Sequence, residues 1–160
     1  MSDIDIESIF ESVRNDSSLL NTIDIEQLLD TLENEKSESI ENKTLDDILQ
    51  EIVDVLKENK FKNAEIKDFC QRLAGYRYIE NLFDIQKGRF IRWIKEGGGT
   101  LTNGGIVVDI KFLDRGVHIL CKNAFNKFFQ IKFDGNIIFQ KLTTGEQLIL
   151  YVYEHIKTSK

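Results

Sequence analysis

Apolar and polar positions keep a helical rhythm over the first half of the chain. Ile6, Ile9, Phe10 and Val13 fall on one face of a helix, and Ile25, Leu28, Leu29 and Leu32 on one face of a second. A third opens at Thr44, where Asp47 stands three residues on as in a capping box, with Asp in place of Glu. Its apolar stripe is Leu45, Ile48, Leu49, Ile52 and Leu56, opposite Asp46, Asp47, Glu51, Asp54 and Glu58. The polar run Asn34–Lys43 reads as a linker before it. A fourth helix is expected from about Ala64 to Leu73, with Ile66, Phe69, Cys70 and Leu73 facing inward. A shorter turn continues through Tyr78 to Phe83.

From Lys87 the period changes. Strands are expected over Gly88–Lys95, Ile106–Leu113, Val117–Cys121, Lys127–Phe133 and Ile137–Leu142. Gly97-Gly98-Gly99, Asn103-Gly104-Gly105, Asp114-Arg115-Gly116 and Asp134-Gly135-Asn136 supply turns between them. Thr143 or Thr144 then opens a last helix, each with a partner three residues on, Glu146 or Gln147. Leu148, Tyr151, Val152, His155 and Ile156 share its face. The expected class is α+β: acidic N-terminal helices, then a five-stranded antiparallel β-meander or half-barrel, and a C-terminal helix. The units are an acidic helical arm (1–60), connecting helices (61–85) and a β-meander domain with the final helix (86–160). No βαβ alternation is present, which disfavours a Rossmann-type sheet.

Charge sharpens the division. Residues 1–60 hold five basic and seventeen acidic side chains, a net −12, whereas residues 61–160 hold sixteen and ten, a net +6. All ten glycines lie from Gly75 onward, and only Phe10 among the aromatics precedes Phe61. A hydrophobic content of 41% excludes a wholly disordered chain. No apolar run nears the roughly 18 residues a membrane span needs, and the opening MSDIDIES lacks the basic region of a secretory signal. With only Cys70 and Cys121, no disulfide framework is expected. The setting expected is soluble and intracellular, with no membrane partner. Proline is absent, so lysines such as Lys111, Lys132 and Lys141 must guard the sheet edges, unless an edge is meant for a partner.

Chemistry is sparse. Of the soft ligands Cys70, His118, Cys121 and His155, only His118 and Cys121 are close in sequence. Three apart on a strand, they point to opposite faces, so no metal site is expected. Cys121 sits among apolar neighbours where a thiol stays protonated. The glycine clusters lack P-loop spacing and open no helix. Neither a catalytic constellation nor a cofactor is expected, and the chain reads as no enzyme.

Two binding readings stand. Lys87, Arg89, Arg92 and Lys95 interleave with Phe90 and Trp93, a mixture that neutralises phosphates and stacks on bases. Strand parity sets Arg89, Ile91, Trp93 and Lys95 on one face and Phe90, Arg92 and Ile94 on the other, so neither face is cleanly basic. The simpler account buries the aromatics and lets arginine stems reach water. Among the phenylalanines, Phe129, Ile131 and Phe133 alternate onto a core face, and Phe128 lies opposite. If no helix covers it, Phe128 belongs to a contact patch. The stripe Leu45, Ile48, Leu49, Ile52 and Leu56 either packs within the chain or docks on another protein.

Lys87-Gly-Arg-Phe-Ile-Arg-Trp-Ile94, Leu101-Thr-Asn-Gly-Gly105, Cys121-Lys-Asn123 and Phe139-Gln-Lys-Leu142 together carry a resemblance. Over about residues 86–142 the chain resembles small uncharacterised proteins of nucleocytoplasmic large DNA (giant) viruses, and its Asn/Ile/Lys-rich, proline-free composition resembles an AT-rich genome's. The resemblance implies a virion component or accessory factor and brings no catalytic residues. The leading expectation is a non-enzymatic interaction or structural protein. It contacts another protein or its own copies through Phe128, the exposed edge strands and the apolar stripe from Leu45 to Leu56. The alternative is single-stranded nucleic-acid or phosphate-backbone binding by Lys87, Arg89, Arg92, Trp93 and Lys95.

Overall fold

A computed structural model describes residues 43–158, with side chains through Glu154. The first two expected helices, the linker up to Asn42, and the side chains of His155 and Ile156 lie outside the described residues.

Helix α1 (Leu45–Glu58) starts where the capping signal puts it. The Thr44 hydroxyl accepts from the Asp47 amide at 3.2 Å, and the Asp47 carboxylate accepts from the Thr44 amide at 2.9 Å. Helix α2 (Asn63–Arg72) follows and buries Ile66, Phe69 and Cys70, with Leu73 just beyond its end. The next segment corrects the expected helical turn: Tyr76–Ile79 is strand β1, and only Leu82–Asp84 forms a short 3-10 turn. The strands β2 (Phe90–Lys95), β3 (Gly105–Leu113), β4 (Gly116–Lys122), β5 (Phe128–Lys132) and β6 (Asn136–Lys141) overlap the five expected from sequence, with ends shifted by one or two residues. Helix α3 (Thr144–Thr158) closes the chain, its capping box made by Thr143 and Glu146.

The fold is therefore α+β, with a six-stranded antiparallel sheet and three helices among the described residues. Its order is β1-β6-β2-β3-β4-β5. Strands β2 to β5 form the expected meander, but β6 crosses back to lie between β1 and β2. That pairing ties residues 76–79, part of the expected connecting-helix unit, into the sheet.

Alternation along the strands gives the sheet two apolar faces. On one, Ile94, Ile137 and Phe139 pack with Tyr76 and Tyr78 against helices α1 and α2, whose Ile52, Val53, Leu56, Ile66 and Phe69 are all buried. On the other, Ile91, Trp93 and Ile138 join Val107, Ile119 and Cys121 from β3 and β4, with Phe129 and Ile131 of β5 packed against them. This second face is lined from both ends of one sheet, so the sheet is curled around its own core. Helix α3 adds a third cluster, in which Leu142 and Leu150 meet Ile48, with Leu45 packed at its margin.

Gly104 and Gly105 make the curl. At Gly104 φ is +80°, and a Cβ there would collide with the Ile91 carbonyl oxygen. A Cβ on Gly105 would stand 2.7 Å from the Lys122 carbonyl oxygen and 3.2 Å from the Phe129 ring. Bare backbone at both positions lets β3 leave β2 after a two-residue register, Phe90 with Ile106 and Ile91 with Gly105.

Candidate interaction surface

Among the residues expected at interfaces, the α1 stripe is spent inside the molecule. Ile48, Leu49, Ile52 and Leu56 are buried, and Leu45 is half-buried against Ile48, Leu142 and Leu150. Val53 and Val55 are buried as well, because α1 is covered from more than one side. This helix is core, and the expectation that it docks on another protein is corrected.

The residues expected to contact nucleic acid are likewise dispersed. Trp93 is 9% exposed in the concave core, its ring against Phe129. Arg92 points to the opposite face. Its Nε donates to the Thr102 carbonyl at 2.8 Å and its Nη1 to the Arg72 carbonyl, the end of α2, at 3.2 Å. Burial lowers the Arg92 pKa, with the nearby Tyr76 hydroxyl acting the other way. Arg89 donates to the Glu146 carboxylate in the first turn of α3, and Glu146 is almost fully buried. Lys87 pairs with Asp109 at 3.1 Å, an exposed bridge whose hydrogen bond pulls the Asp109 carboxyl below its ordinary range. Lys95 is exposed at the far end of β2. These five side chains are divided among different surroundings: Trp93 in the core, Arg92 on carbonyls of the helix face, Arg89 on the Glu146 carboxylate, and only Lys87 and Lys95 exposed.

Phe128 behaves differently. Helices α1 and α2 pack over β1, β6 and β2, and among the described residues their buried cluster takes in no side chain from β3, β4 or β5. The registers Phe90–Ile106, Ile106–Lys122 and Lys122–Phe128 set one row of side chains across four strands. Along it Phe128 is 60% exposed and Ile106 46%, with the Lys122 ammonium 5.9 Å from the Phe128 ring centroid. A bulge at Val107–Asp109 inserts Val108 as an extra residue, so Val107 and Ile110 both face the core while Val108 is turned outward. Lys111, His118 and Lys132 form a more distant row on the same side.

Among the described residues, strand β5 is also an edge. The Asn123 amide donates to the Lys127 carbonyl and the Phe133 amide to the Val117 carbonyl. That register directs the amides and carbonyls of Phe129 and Ile131 toward β4 and those of Phe128, Gln130 and Lys132 outward. Asn136 Nδ2 covers the Lys132 carbonyl at 2.8 Å. The outward groups of Phe128 and Gln130 lie beside the exposed Phe128 ring.

Where the sheet curls, a cavity of 450 Å³ opens between the β2–β3 connection and the β4–β5 turn. Trp93, Phe90 and Phe129 line it, Phe125 stands at its lip, and Asn103 and Asn123 contribute amides. A second cleft, of 280 Å³, lies between α1 and β1 and is lined by Glu51, Asp54, Glu58 and Glu80. Its two cations are already paired, Lys43 with Glu51 at 2.6 Å and Arg77 with Asp84 at 3.7 Å, and its lining includes no Ser, Cys or His. Cys70 and Cys121 are buried elsewhere, each thiol pushed up to about 12 by desolvation. Among the described residues no group of three or more His, Cys, Asp or Glu side chains is placed to hold a metal ion. No described helix is long and apolar enough to cross a membrane. No family model, curated protein or solved structure matches the chain.

Proposed function

We propose that the protein is a non-enzymatic interaction module that binds another protein, or a second copy of itself, by adding a strand to the open edge of β5. The observation that carries this reading is the coincidence of outward backbone groups on Phe128 and Gln130 with the exposed Phe128–Ile106 row. Strand addition draws affinity from backbone bonds and specificity from neighbouring side chains, and both are supplied here within a few residues. An exposed aromatic beside an unpaired edge also costs solubility in a protein that never uses it. Extended to the resemblance over residues 86–142, the reading is of a virion or accessory component of a large DNA virus.

Substitution at the edge tests it. The Gln130 amide faces away from β4, so Gln130→Pro removes an outward donor and leaves the β4–β5 bonds in place. Affinity capture with the full chain, together with light scattering over a range of concentrations, compares wild type with Gln130→Pro and Phe128→Asp. A partner or self-association lost in both variants supports the reading. A strict monomer whose captured proteins are the same in all three overturns it.

A further inference from the structure

The apolar surface of the sheet runs on past the described helices. Helix α2 ends over β2, where the Arg72 carbonyl accepts from the Arg92 guanidinium. Beyond it on the same side, Ile106, Val108 and Phe128 are exposed and Leu120 is half-buried. Cations rim this patch. Strands β3, β4 and β5 set Lys111, Lys122 and Lys132 on that side, and their one carboxylate, Asp109, is already bonded to Lys87. Among the described residues neither Lys122 nor Lys132 makes an ion pair. An apolar strip between unpaired ammonium groups suits an amphipathic helix with acidic flanks, which would extend the layer that α1 and α2 begin.

The chain's own sequence carries that pattern. Residues 24–33 lie outside the described residues, and their spacing sets Ile25, Leu28, Leu29 and Leu32 on one helical stripe. Asp24 falls on one flank of the stripe, Glu26 and Glu33 on the other. No Lys or Arg occurs between Arg14 and Lys36. Glu26 and Glu33 stand about 10 Å apart along a helix. Lys122 and Lys132, on neighbouring strands, are about 14 Å apart, a difference that lysine stems take up. Residues 34–43 reach about 33 Å when extended, and β4 lies two strand spacings, about 10 Å, beyond β2. A second copy meeting this patch with its own would set lysines against lysines. We propose that residues 24–33 of the same chain dock as an amphipathic helix on the lysine-rimmed patch from Ile106 to Phe128. A partner that uses the Phe128 ring must then displace them, a consequence that rests on the strand-addition reading above.

A zero-length carbodiimide joins a carboxylate to an amine only where the two touch, and peptide mapping identifies the pairs. In the full chain Glu26 or Glu33 is expected to couple to Lys122 or Lys132. Leu28→Asp combined with Leu29→Asp, which alters no described residue, should abolish these couplings. Mixing heavy-nitrogen-labelled with unlabelled protein identifies the source, since couplings within one chain pair like with like. The docking is overturned if residues 24–33 couple no better to these lysines than to the exposed Lys57, Lys60 and Lys67. Couplings that survive in the double variant overturn it too, as do mixed-label pairs, which make a second copy the occupant. The double variant should also raise partner capture about five-fold, the factor for a cover closed in about four molecules of five. Couplings present, with capture unchanged in both the double variant and Gln130→Pro, sink strand addition and leave the docked helix standing. Capture lost in Gln130→Pro, with no such couplings, sinks the docked helix alone.

Discussion

The indole of Trp93 on β2 and the ring of Phe129 on β5 lie 5.3 Å apart, centroid to centroid, although β3 and β4 separate their strands. In a flat sheet three strand spacings would hold them about 14 Å apart. Their contact therefore measures the curl, and the curl creates both the concave core and the cavity at its mouth.

Removing that contact should loosen the sheet. Trp93→Ala is expected to cost about 3–5 kcal/mol in urea unfolding, since it empties a large buried site. Trp93→Phe should cost less, because a ring still meets Phe129. A loss below about 1 kcal/mol for the alanine variant would show that the curl is held elsewhere.

The two glycines test the same geometry from the backbone. Gly104→Ala combines a left-handed φ with a collision against the Ile91 carbonyl, and a loss of about 3 kcal/mol or more is expected in thermal unfolding. Gly105→Ala meets the Lys122 carbonyl and the Phe129 ring. It should displace that ring and shift the Trp93 indole N–H signal in a nitrogen–proton correlation spectrum even where the fold survives.

Arg89 and Glu146 join the start of β2 to the first turn of α3, their side chains 17% and 4% exposed. Arg89→Ala leaves a buried carboxylate without its cation and should destabilise by about 3 kcal/mol. Glu146→Ala additionally removes the bonds to the Thr143 amide and hydroxyl, and α3 should fray first. Hydrogen exchange along residues 144–154 reads this directly, and uniform protection in both variants would refute it.

Cys70 and Cys121 should resist alkylation in the native protein near neutral pH, because buried thiols raised to about 12 hold almost no thiolate. The linked stability has a definite sign. It is fully present below the ordinary thiol value of 9.0 and falls as pH rises through 9 toward 12, where the unfolded chain ionises and the folded one does not. Rapid modification of Cys121 without unfolding would contradict its burial.

Local signals in the sequence translated faithfully. The Thr44–Asp47 and Thr143–Glu146 boxes place two helix starts because all their partners lie within three residues. Strand β1 was illegible for the opposite reason. Tyr76-Arg77-Tyr78-Ile79 is a strand because Lys141 through Ile138 lie beside it, and no short window carries that information. Parity correctly divided Trp93 from Arg92, yet the exposed basic surface those residues suggested was absent, since helix ends and loop carbonyls claimed the arginines. Phe128 was legible as a residue opposite the core face. Its exposure depended on how far the helices extend across the sheet. The cavity needed Asn103, Phe125 and Trp93 brought together from separate turns and strands; the one local hint was Asn123 placed to cap its own loop.

The crossing of β6 between β1 and β2 sets when the molecule can form. A growing chain that has emerged only as far as Asp134 holds β1 with no neighbour and β2 with one flank open, however well the β3–β4 hairpin has closed. Synthesis must pass Lys141 before the strands β1 and β2 can both be flanked. Until then Tyr78 has no strand beside it and Ile91 and Ile94 lack their β6 neighbours, so part of each core face stays open to water.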